Sequence, residues 1–144
     1  MIIEVNFLSI VKRIFIVLVI ILFACGQQET EHKKLGEIAA ELQNQCPKML
    51  DEATRWDKVS VYDNNLELTF TLVKMDKDST DTEGLTKELK CFLSKNLSRG
   101  FNLYKSHIDL VFMRNNNVVF HYIYLDKRKR ILSDITIKPE EYIN

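Results

Sequence analysis

Glycine and proline are scarce in this sequence, with four glycines and two prolines among 144 residues. That excludes collagen-like repeats and long flexible linkers, which need those residues in bulk. An excess of either charge is also lacking. Twenty basic residues balance twenty acidic ones, whereas a general nucleic-acid binder normally carries a basic surplus. No GxSxG elbow, HExxH motif or P-loop occurs, so the common hydrolase, metalloprotease and nucleotide signatures are missing. No uninterrupted apolar run reaches the roughly 20 residues that a membrane-spanning helix needs. We therefore expect no catalytic site, no cofactor, no metal and no nucleic-acid partner. Apolar residues make up 46% and charged residues 28%, the composition of one ordinary globular domain.

The longest apolar run is Ile14 to Ala24, IFIVLVIILFA, eleven residues without a polar side-chain atom. Lys12 and Arg13 directly precede it. A basic flank, a short apolar core and a small residue at the cut make a secretory signal. Extending the run through Val5–Ile10 would place those two cations in the bilayer, each at roughly 2.5–3.5 kcal/mol.

Leu22-Phe23-Ala24-Cys25 resembles the lipobox of bacterial lipoproteins. The resemblance implies that Cys25 receives a diacylglycerol and becomes the new N-terminus, and that palmitate-type chains hold the protein on a membrane. One acyl chain holds marginally, whereas two or three anchor stably. Gly26, rather than aspartate, follows the cysteine. In a Gram-negative cell this implies sorting to the outer membrane. The expected organisation is a signal peptide over 1–24, a polar tether over 25–34 and one domain over 35–144. Loss of 1–24 removes Glu4, Lys12 and Arg13 and leaves a net charge of −1.

Within that domain, Leu35, Ile38, Ala39, Leu42 and Cys46 lie on one helical face. The spacing predicts a helix over about 34–46, ended by Pro47. Lys58–Asp63 and Leu66–Leu72 alternate in polarity around Asp63-Asn64-Asn65, a hairpin pattern. Leu66, Leu68, Phe70 and Leu72 would face a core. Thr80 to Glu83 reads as a capping box. A second helix follows, with Leu85, Leu89, Phe92, Leu93 and Leu97 on its apolar stripe and Gly100 as its stop. Three strands would complete the chain, over Asn102–Met113, Val118–Leu125 and Ile131–Ile137. The expected fold is α+β, in the order α-ββ-α-βββ, an antiparallel sheet with helices on one face.

Chemistry-bearing residues are few. Asp76–Glu83 is acidic, but an EF-hand beginning at Asp76 would need glycine at Asp81 and glutamate at Lys87. On the expected pairing, His107 and His121 stand about 13 Å apart, too far to share a zinc. Asp109 then lies diagonal to His121, close enough to partner it; a small envelope hydrolase around that pair is the enzymatic alternative. Cys46 and Cys91 would face an oxidising compartment, where a disulfide persists or each thiol stays free as a small hydrophobe. Lys127–Arg130 reads as a solvated turn or a contact for an anionic surface. The strand Val118–Leu125 is apolar on both faces. Tyr104, Phe112, Phe120, Tyr122 and Tyr124 would line one of them, either as covered core or as an aromatic platform for a partner.

Cys46-Pro47 with Asp51, Thr54, Val59 and Leu66–Leu72, then Tyr122-Ile-Tyr124 and Ile135-Thr-Ile137-Lys-Pro139, resemble a group of small exported bacterial α+β proteins of unknown function. The resemblance implies an intact domain and no particular activity. The reading is a lipid-anchored cell-envelope protein that meets the membrane through its N-terminus and serves as a binding or assembly module through a sheet face. A purely structural lipoprotein is the other alternative.

Overall fold

The computed structural model describes residues 31–99 and 107–142. The chain divides into two units, 1–34 and Leu35–Asn144, and the second holds the sheet and the core. Helix α1 covers 31–43. Residues 31–34, expected in the tether, are therefore helical. Strands β1 (Lys48–Met49), β2 (Thr54–Tyr62) and β3 (Asn65–Leu72) follow. Helices α2 (Thr82–Ser98) and α3 (His107–Asn115) come next, then β4 (Val119–Leu125) and β5 (Ile131–Ile137). The α+β class expected from the sequence is what the chain forms.

One expected strand is a helix. Asn102–Met113 was to pair with β4, yet His107–Asn115 is α3. Leu110 and Met113, three apart, are buried, which is helical spacing. Asn116 and Asn117 do not turn a hairpin. They end the helix: the Asn116 N–H donates to Phe112 O at 3.1 Å, and Asn117 takes a positive φ of 53°, which asparagine tolerates. The chain therefore enters β4 from a helix, and β4 runs parallel to β3, with Leu66 beside Phe120 and Phe70 beside Tyr124. The sheet is mixed, in the order β1-β2-β3-β4-β5, and its other neighbours are antiparallel.

The alternation of β3 and β4 decides which side is covered. Leu66, Leu68, Phe70, Phe120, Tyr122 and Tyr124 point to one side and are buried. Leu35, Ile38, Ala39 and Leu42 of α1, Leu93 and Leu97 of α2, and Leu110 and Met113 of α3 join them in one core. Rings of three strands stack across it, with centroids 6.3 Å apart for Trp56–Phe70 and 5.2 Å for Phe70–Tyr124. Each such pair adds roughly 0.5–1.5 kcal/mol beyond its area. Tyr142, 1% exposed, closes the core edge-on to Phe120 and donates its hydroxyl to Val118 O.

Local chemistry fixes the ends of the elements. The cap of α2 is Asp81, one residue later than expected, and its carboxylate accepts from Gly84 N at 3.0 Å. Arg114 of α3 donates to the Ser98 carbonyl at 2.7 Å and to that of Leu97, placing a cation at the C-terminal end of α2 where the dipole favours it. A bulge between Trp56 and Lys58 interrupts β2. Just beyond it, Val59 N donates to Gln43 Oε1 at 2.6 Å, joining β2 to the end of α1. Phe92, expected on the apolar stripe of α2, is 58% exposed, because its position lies between the core-facing Leu89 and Leu93 and the helix's outer side.

Candidate functional site

Cys25 and Tyr104 lie outside the described residues. The other members of the expected aromatic platform are displaced from solvent. Phe120 and Tyr122 are fully buried and Tyr124 nearly so, because the three helices cover that side of the sheet. Phe112 is on α3, partly buried against the core. Burial pushes the Tyr124 hydroxyl up to about 12. The aromatic face is core, and a partner does not reach it.

Cys46 and Cys91 are free thiols. Cys46 sits at the end of α1, half-buried, its thiol donating to Leu42 O at 3.7 Å. Burial, then the charge of Asp57, push that thiol up. Cys91 points outward from α2 and is exposed. The bridge considered from the sequence is not made, because one thiol turns into the domain and the other away from it.

The opposite side of the sheet is uncovered by any described helix. Its central row is Ser60, Glu67, His121 and Thr136, in register across β2, β3, β4 and β5. His121 Nδ1 lies 3.2 Å from Glu67 Oε2 and 3.1 Å from the Tyr62 hydroxyl, while Nε2 lies 2.5 Å from Asp134 Oδ1. The partners of His121 are thus Glu67 and Asp134. Asp109, the partner expected from the sequence, lies on α3 because that segment is a helix. Both ring nitrogens are engaged, so the imidazole offers no free nitrogen to a substrate. No group of three or more His, Cys, Asp or Glu side chains gathers to hold a metal among the described residues.

The basic turn after β4 is exposed, as expected, at Lys127, Arg128 and Lys129, and it is also tied down by aspartates. Arg130 reaches Asp76 at 2.6 Å, Asp78 at 2.9 Å and Asp126 at 2.8 Å. Lys127 meets Asp76 at 3.2 Å, and Lys129 meets Asp57 at 2.8 Å. Asp126 is fully buried and accepts from the backbone N–H of Lys77, Arg128 and Arg130. Burial alone would raise its carboxyl; those donors and the Arg130 guanidinium hold it well below the usual carboxylate range. The aspartates of 76–78 that suggested a cation loop therefore serve the chain's own arginines.

A groove of about 450 Å³ runs between α2 and β5. Thr82, Glu83, Thr86, Lys87 and Lys90 form its helix wall, and Ile131 to Asp134 form the other. The Thr86 and Ser133 hydroxyls meet across it at 2.8 Å. Nothing in the sequence pattern marks this groove, since its residues come from segments that only the fold brings together.

Neither a protein-family profile nor a curated relative matches the chain. Solved structures do. The type II secretion system pilotin AspS from Vibrio cholerae superposes with a TM-score of 0.56 at 13% identity, over 82% of this chain and 97% of that one. The pilotin EpsS of the Vibrio vulnificus type 2 secretion system gives 0.59 at 11% identity, over 83% and 97%. A Pseudomonas aeruginosa protein described as secreted gives 0.60 at 12% identity, over 79% and 94%. The chain therefore shares a fold with two secretion-system pilotins and a secreted protein.

Proposed function

We propose that this is a lipid-anchored protein of the bacterial cell envelope that serves as a binding or assembly module for a larger envelope complex. One observation carries the reading: the domain has the fold of two type II secretion pilotins, and the match spans nearly the whole of both. The lipobox-like Leu22-Phe23-Ala24-Cys25 supplies the anchor, with residues 1–24 removed and Gly26 directing the protein to the outer membrane. The partner is a protein of the envelope. A hydrolase around His121 and Asp109 has no support, since Asp109 is on α3 and His121 is saturated by Glu67, Asp134 and Tyr62.

The test is intact mass spectrometry of the protein purified from envelopes, with cross-linking before solubilisation. The expected species begins at an acylated Cys25 and migrates within a large complex, while Cys25→Ser leaves the envelope fraction and loses that complex. A chain still starting at Met1, or carrying a bare Cys25, removes the anchor from the reading. An acylated chain that stays a monomer after cross-linking removes the assembly role.

A further inference from the structure

β5 is a strand of seven residues at the edge of the sheet, with no outer neighbour among the described residues. It pairs with β4 alone, and no described backbone group bonds to its other side. Most edges are blunted by proline, bulges or very short strands. β1, at the opposite edge, is two residues long; β5 has one irregularity near its start, where Leu125 opposes Ile131 and Tyr124 opposes Ser133, and pairs regularly from Ser133 to Ile137. The groove beside it is lined from both faces of the strand, by Ile131 and Asp134 from the open side and Leu132 and Ser133 from the core side. A groove touched by both faces runs along the strand's edge, where unpaired N–H and C=O groups point. Ile131 at its mouth is 50% exposed.

The overhanging helix carries a matching charge pattern. Glu83 and Lys87 are four residues apart on α2, about 6 Å along its axis. Neither makes an ion pair among the described residues, whereas Lys90 is held by Glu141 at 2.9 Å. Alternate side chains of an extended strand are about 6.6 Å apart. Two same-face side chains of a strand added to β5 thus match the spacing of Glu83 and Lys87 along the groove's helix wall. A second copy fits less well: antiparallel pairing in full register would oppose Asp134, the centre of the strand, to itself, and like charges directly opposite are destabilising.

We propose that the α2–β5 groove binds an extended segment of a partner protein as a sixth strand, one that presents a basic and an acidic side chain two residues apart to Glu83 and Lys87 and an apolar face beside Ile131. Main-chain hydrogen bonds supply the affinity and the alternate side chains the selectivity. The proposal rests on the binding-module reading and adds to it the form of what is bound.

The probe is the peptide acetyl-TVKVEVT-amide, added to the protein as purified from envelopes in detergent and followed by hydrogen–deuterium exchange. The peptide is expected to slow exchange saturably in Ile131–Ile137 and to leave β1 unchanged. The same peptide N-methylated at residues two to six loses the effect, because it cannot pair as a strand. Lys87→Glu, an exposed substitution checked by circular dichroism, weakens binding several-fold. Absence of protection in β5, or equal protection by the N-methylated peptide, overturns the proposal. Protection that rises with protein concentration without peptide overturns it too, in favour of self-pairing. None of these failures touches co-migration with an envelope complex, so the two readings fail separately.

Discussion

Asp57 occupies the bulge in β2, where three donors converge on it. Arg55 lies 2.5 Å from one carboxylate oxygen, and Lys129 lies 2.8 Å from the other, which also accepts from Thr71. Burial works to raise the carboxyl; the donors outweigh it and bring it down to about 2. The unfolded value is about 3.9. A carboxyl depressed in the folded state contributes stability above about pH 4, and the contribution disappears as pH falls through about 2. Asp57→Asn is expected to be less stable at pH 7, by on the order of 1–2 kcal/mol after solvent screening. Its stability should also change less than wild type between pH 4 and pH 2. Urea unfolding at several pH values measures both, and parallel curves for the two proteins would refute the assignment. Asp57 had little signal in the sequence, since only Arg55 is near it in the chain and its other two partners lie 14 and 72 residues away.

At the scale of elements, the cap of α2 sets two small effects against each other. Asp81→Ala removes the bond to Gly84 N and is expected to cost about 1 kcal/mol. Gly84→Ala improves helix propensity by about 1 kcal/mol. Its new Cβ, however, would stand 2.4 Å from Asp81 Oδ2, so the cap must swing away and the net change should lie near zero. Thermal unfolding of both variants distinguishes them; a Gly84→Ala protein clearly more stable than wild type would mean the cap is worth little. The sequence made α2, the β2–β3 hairpin and β5 legible because their periodicities are unambiguous. It misled at α3. Ile108, Leu110 and Phe112 alternate as a strand would, while Leu110 and Met113 satisfy a helix, and short apolar runs do not separate the two. With that segment helical, β4 is no longer the return strand of a hairpin, and it pairs parallel to β3. The histidine pairing and the open aromatic platform, both built on a hairpin there, go with it.

At the scale of the whole domain, the sheet has one side buried under helices and one side that no described helix covers, and their energetics should differ accordingly. Phe120→Ala opens a cavity under three helices and is expected to cost about 3–5 kcal/mol. His121→Ala, on the sheet face opposite that core, removes the contacts to Glu67, Tyr62 and Asp134 and should cost less, on the order of 1 kcal/mol. Denaturant titration of the two variants tests this asymmetry, and similar losses would mean that the bare side is covered after all. The sidedness was half legible in advance. β3 alternates cleanly, but β4 is apolar on both faces, because Ile123 and Leu125 remain half-buried even on the uncovered side.

The position of β4 in the sheet carries a consequence for how the protein is made. It lies between β3 and β5, yet it is the second-last strand to be synthesised. Until residue 125 has emerged, β3 is paired on one side only and β5 has no strand to join. The last fifth of the chain therefore completes the sheet, and a protein truncated before Val119 would leave β3 as an open edge.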